Sequence, residues 1–155
     1  NPRTESDWLS RDEKVVDDFK NDPLCDFIFT VDGFKALLTL VREDCDDRTA
    51  HKVPKELPIY ILSGAEDPVG QYGEGVMKTY EQYKQAGIEN LQVKIYPEMR
   101  HEILNELGKE EVYEDILRWT EERISEYAQE NDEADTENDD ASDSQMDDKA
   151  DSQEE

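Results

Sequence analysis

The segment Pro58-Ile59-Tyr60-Ile61-Leu62-Ser63-Gly64 decides the fold. Four apolar residues run unbroken between a proline and a glycine, which is how a strand buried on both faces of a parallel sheet reads. A glycine-rich loop from Gly64 to Gly75 follows. It leads into a helix with Val76, Met77, Tyr80 and Tyr83 on one face, and Gly87 falls where a left-handed C-cap belongs. The next run, Leu91-Gln92-Val93-Lys94-Ile95-Tyr96, alternates apolar and polar residues and stops at Pro97. That pattern suits an outer strand with one wetter face. A last helix is predicted over Lys109 to Tyr127, with Val112, Tyr113, Ile116, Leu117, Thr120 and Ile124 as its inner stripe and Trp119 beside it. Strand, helix, strand, helix in that order predicts a βαβ crossover and an α/β layered fold.

Upstream, Ser10-Arg11-Asp12-Glu13 has the form of a capping box, with Val15, Val16 and Phe19 behind it at helical spacing and Pro23 closing the helix. Asp32 is the expected cap of a second helix, whose Phe34, Leu37, Leu38 and Val41 repeat at i, i+3, i+4 and i+7. Glu43, Asp44, Asp46 and Asp47 then lead into a polar loop containing Pro54 and Pro58. An apolar strand such as 59–62 needs neighbours on both sides, and two strands do not make an independent sheet. The expectation is therefore that further strands precede Asn1 and that these residues are the C-terminal portion of something larger.

Charge narrows the function classes. The 155 residues carry 17 Lys and Arg against 42 Asp and Glu, a net −25. Of this, −13 lies in the last 30 residues, where 14 acids face the single base Lys149, leaving −12 for the rest. A surface this acidic argues against binding nucleic-acid phosphate or anionic membranes. No apolar run reaches the ~18 residues of a spanning helix. Cys25 and Cys45 are too few for a disulfide framework and read as free thiols of a reducing, cytoplasmic compartment. From Ala128 to Glu155 the one large apolar residue is Met146, so this segment is expected to be a disordered, solvating acidic tail.

In an open parallel sheet, reactive groups gather beyond the carboxyl ends of the strands. Asp67, in Ser63-Gly64-Ala65-Glu66-Asp67-Pro68-Val69-Gly70, follows the first strand, and His101, in Glu98-Met99-Arg100-His101-Glu102, follows the second. Neighbouring strands lie ~4.8 Å apart, so an acid and an imidazole on these two loops can meet. A carboxylate on one ring nitrogen leaves the other to take a proton from a nucleophile. In α/β-hydrolases the order is nucleophile, acid, histidine, which puts the nucleophile before Asn1; no G-x-S-x-G occurs in the chain. The plain alternatives are a turn aspartate before Pro68 and a packing histidine. Ser63 reads as a small turn residue, and His51 as a residue of a polar loop without a partner. Two histidines and two cysteines lack zinc-ligand spacing, and Gly70, Gly73 and Gly75 form no phosphate-binding pattern.

Residues 57–70, LPIYILSGAEDPVG, resemble the catalytic-acid segment of the α/β-hydrolase superfamily, in its lysophospholipase, monoacylglycerol lipase and serine aminopeptidase branch. Residues 96–106, YPEMRHEILNE, resemble that branch's catalytic-histidine loop, while Trp8-Leu9-Ser10-Arg11-Asp12 and Asn21-Asp22-Pro23-Leu24-Cys25 resemble the end of its helical lid. The resemblance spans roughly residues 3 to 125. It implies three regions: the end of a lid over 1–31, the C-terminal part of an α/β-hydrolase core over 32–127, and the acidic tail over 128–155. It further implies that Asp67 is the triad acid and His101 the general base of a serine hydrolase, with no cofactor or metal required. The substrate would be a small-molecule or lipid-like carboxylic ester, with Phe27, Ile28, Phe29 and Phe34 either lining an acyl cleft or packing lid to core. A peptidase or amidase of the same fold, and a non-catalytic interaction protein built on this body, are the alternatives.

Overall fold

Pro58 and Gly64 bracket strand β1 (Ile59–Gly64), and Pro97 ends strand β2 (Leu91–Tyr96). The two pair in parallel, with Ile59 opposite Leu91 and Gly64 opposite Tyr96. The computed structural model describes residues 3–25 and 27–147. Its remaining helices are α1 (Glu13–Asn21), α2 (Val31–Asp44), the single turn α3 (Asp47–Ala50), α4 (Glu74–Gln85) and α5 (Lys109–Asp147). The residues divide into two compact units, one reaching Val112 and one beginning at Tyr113. The parallel pair and the crossover helix α4 agree with the sequence reading. One point differs: Ile59 to Leu62 are half-exposed rather than buried on both faces. Among the described residues β1 has β2 as its one hydrogen-bonded neighbour.

Local chemistry explains the helix ends, and corrects two of them. Asp12 rather than Ser10 caps α1, its carboxylate accepting from the Lys14 amide, because the Ser10 hydroxyl is used elsewhere. Thr30 rather than Asp32 caps α2, accepting from the Gly33 amide at 3.1 Å. Both residue types cap well, and the choice falls to the one whose backbone is still extended. At the other end of α4, Gly87 has φ +89 and donates to the Lys84 carbonyl while Ile88 donates to that of Tyr83. This double closure requires a left-handed residue, which glycine adopts without steric cost.

Two further expectations are revised. The polar loop before Pro54 contains α3, capped by Asp46. The last helix does not stop near Tyr127; its backbone continues to Asp147. Tyr127 is instead where its apolar stripe ends, and Tyr113, Leu117 and Ile124 of that stripe are exposed. Residues 148–155 of the expected tail lie outside the described residues.

The buried apolar residues of the first unit include Leu9, Val16, Ile88, Tyr96, Met99 and Val112. They come from the N-terminal segment, α1, the turn between α4 and β2, the end of β2, the histidine loop and the start of α5.

Candidate active site

Because β1 and β2 are parallel and in register, their C-terminal loops leave side by side. The backbone stitches these loops together: Ala65 donates to the Tyr96 carbonyl at 2.9 Å and Glu66 to that of Met99 at 2.8 Å. Gly64 makes the close approach possible, since a Cβ there would collide with the carbonyl oxygens of Met99 and Arg100.

Asp67 and His101 meet on this platform. His101 Nδ1 stands 3.1 Å from Asp67 Oδ2, and Asp67 Oδ1 accepts from the Val69 amide at 2.8 Å. The Tyr72 amide holds the Asp67 carbonyl at 2.8 Å. Asp67 is buried, while the His101 side chain keeps 37% of its surface. A buried acceptor thus orients a ring whose other edge remains reachable, the arrangement required of a base that must meet an incoming proton donor. The ring of Trp8 lies against that of His101, with centroids 5.0 Å apart and planes tilted by 47°.

Three residues of this corner escaped the sequence reading. Glu106 has no exposed side-chain surface, and its two oxygens take four N–H donors. Oε1 accepts from the amides of Arg11 and Arg100, and Oε2 from Arg11 Nε and the Leu107 amide, all at 2.9 Å. That fills the four acceptor positions of a carboxylate, and bonds to a charged group contribute about 1.5–3 kcal/mol each. Arg11 also donates to the Leu107 carbonyl at 2.8 Å, and Arg100 to the carbonyls of Asp7 and Ser10. The Ser10 hydroxyl donates to the Asn105 carbonyl at 3.1 Å. A Glu five positions after the histidine, with arginines on both sides of the fold, was the available signal, but nothing local marks one acid of 42 as buried.

The other candidates make no bond to the pair. The Ser63 hydroxyl is turned to the Gly64 carbonyl at 3.3 Å, and His51 is the C-cap of α3. Phe27, Ile28, Phe29 and Phe34 are all exposed. The phenylalanine rings contact each other edge-on, Phe27 to Phe29 at 5.2 Å and Phe29 to Phe34 at 5.5 Å, and Phe34 also lines a hollow of about 500 Å³ along α2. A hollow of about 520 Å³ beside the pair is lined in part by Trp8, Arg11, Glu66, Pro68, Tyr72 and Arg100. A larger one, of about 800 Å³, follows α4 and Ile95, and neither hollow is lined by Asp67 or His101. Among the described residues no group of three or more His, Cys, Asp or Glu is placed to hold a metal ion, and no helix is long and apolar enough to cross a membrane.

Three acids are shifted by named neighbours. The Thr4 hydroxyl and amide hold the Asp7 carboxyl below its ordinary range, and Lys20 does the same for Glu5. Asp46 is held well below the usual carboxylate range, first by the Arg48 side chain and then by its amide.

Residues 1–108 match the family described as "Serine aminopeptidase, S33" (Hydrolase_4). Among solved structures, a highly thermostable carboxyl esterase from Bacillus coagulans, crystallised with glycerol, is similar at 35% identity and a TM-score of 0.72, over 78% of this chain and 40% of the esterase. A lipase in its open form is similar at 27% identity and a TM-score of 0.65, over 72% of this chain and 36% of the lipase. The chain therefore spans well under half the length of either structure.

Proposed function

The chain belongs to the serine aminopeptidase S33 family of α/β-hydrolases, and from that premise we propose that it carries the acid and the general base of a serine hydrolase acting on carboxylic esters. Asp67 is the triad acid and His101 the base; the nucleophilic serine and the oxyanion-hole amides belong to the part of the fold that the relatives have and these 155 residues lack. The observation that carries this reading is the 3.1 Å approach of His101 Nδ1 to Asp67 Oδ2 at the ends of two parallel strands. Further support comes from the half-exposed β1, an apolar strand whose second edge has no hydrogen-bonded neighbour among the described residues.

Asp67 accepts from Nδ1–H and so fixes the tautomer in which Nε2 is the base. Nε2 takes the hydroxyl proton as serine attacks the acyl carbon, and the resulting imidazolium is stabilised by the carboxylate behind it. The same proton then passes to the departing alcohol, and a water repeats the sequence to release the acid. The similarity to an esterase and a lipase favours esters, and lysophospholipids or monoacylglycerols are the proposed substrates. Amide hydrolysis is the second reading, favoured by the family description itself. The free thiols of Cys25 and Cys45 favour a cytoplasmic setting, and residues 1–31 form the end of a lid.

The test is labelling by a fluorophosphonate probe, which reports an activated serine. The 155-residue chain takes no label and turns over no p-nitrophenyl ester, whereas the intact hydrolase does both. Turnover by the chain itself, or an intact protein that resists the probe, overturns the proposal.

A further inference from the structure

His101 is tethered on one side by a single hydrogen bond to Asp67, and a ring so held can still swing about that bond. The Trp8 ring lies on one side of it, with centroids 5.0 Å apart. Trp8 itself is 40% exposed, so burial does not fix it. Its backbone does: the Trp8 carbonyl faces the His101 amide at 3.4 Å, and the Leu9 carbonyl accepts from the Glu102 amide at 2.8 Å. Arg100 adds its guanidinium bond to the Ser10 carbonyl at 3.0 Å. These contacts join residues 7–11 to the histidine loop, and both partners converge on one atom. Oε1 of Glu106 accepts the amide of Arg11, three residues after Trp8, and the amide of Arg100, next to His101.

We propose that Glu106 is a positioning residue for His101: its buried carboxylate clamps residues 8–11 onto the histidine loop and thereby keeps the Trp8 ring against the imidazole. The chemistry demands a carboxylate. Each oxygen faces two N–H donors, so a glutamine, in either orientation, would turn its amino group towards two donors and leave them unpaired. The proposal leans on the hydrolase reading only in regarding His101 as a base; the ring-to-ring contact stands without it.

The experiment is proton NMR on the full-length protein that contains these residues. In the wild type, cross-relaxation joins the Trp8 indole and His101 imidazole protons. In Glu106→Gln it is lost, while the cross-strand signals pairing Ile59 with Leu91 and Gly64 with Tyr96 persist. Should Glu106→Gln lose the cross-strand signals as well, Arg11→Ala decides. It removes the guanidinium from Oε2 and from the Leu107 carbonyl but keeps the Arg11 amide on Oε1. Cross-relaxation weakened several-fold with the strands intact is then the expected result. A wild-type Trp8–His101 signal in a folded Glu106→Gln chain, or in Arg11→Ala when that variant decides, overturns the proposal. Hydrolysis does not enter the readout. Failure of the hydrolase reading would leave this contact in place and show only as the absence of probe labelling.

Discussion

The Asp67–His101 corner and helix α2 lie in the same unit and differ in what specifies them. The corner is held by polar groups with assigned partners: a buried Glu106 with four donors, two arginines on backbone carbonyls, and loops joined amide to carbonyl. Helix α2 is richer in apolar side chains, yet buries none of its residues, and Phe34, Leu37, Leu38, Leu40 and Val41 are exposed. Apolar content therefore does not decide which region is well defined here. Directional bonds do, because they fix geometry with a handful of groups, whereas an apolar face is defined only once something covers it.

The comparison can be broken in four places. The largest effect is expected from His101→Ala in the intact hydrolase, where kcat falls about 10⁴-fold with the fold retained; near-normal turnover of a p-nitrophenyl ester would remove the corner from the chemistry. Next comes Gly64→Ala. Its methyl group meets the Met99 and Arg100 carbonyls, and a backbone obstacle cannot step aside as a side chain can. A loss of about 3 kcal/mol in thermal unfolding is expected. Third is the pair Met99→Ala and Leu38→Ala. The buried Met99 should cost about 2 kcal/mol, and the exposed Leu38 within about 0.5 kcal/mol in the 155-residue chain. Equal costs would mean that α2 is packed in solution. The smallest effect concerns acid. Asp46 is held below its ordinary carboxylate range by Arg48, so its contribution is present above the unfolded value and is lost as pH falls through the folded one. Asp46→Asn removes that dependence. Its acid-unfolding curve should be slightly less steep than the wild type at the low-pH end, with no change in the shape near neutrality.

The two regions were also unequally legible in the sequence. An apolar run between Pro58 and Gly64, and an alternating one ended by Pro97, locate both strands because strand signals are local. Asp67 and His101 could then be singled out by position alone, one at each strand end. Glu106 could not. Its burial depends on Arg11, 95 positions away, and no local pattern separates it from the solvated acids around it. The caps were misread for a related reason: Asp32 and Thr30 are both good caps, and the turn that selects Thr30 is set by the chain's entry path. At α5, periodicity located the end of the apolar stripe rather than the end of the helix.

The parallel register has a consequence for folding. The smallest slip of β2 along β1 that keeps every side chain on its own face is two residues, a displacement of about 7 Å along the strand. Such a misaligned pair would keep its apolar faces and its ladder, but it would part the backbone bonds from Ala65 to Tyr96 and from Glu66 to Met99. It would also carry the histidine loop far beyond the 3.1 Å that separates His101 from Asp67. The imidazole–carboxylate bond therefore requires the correctly zippered pair, as do the backbone bonds that join the two loops.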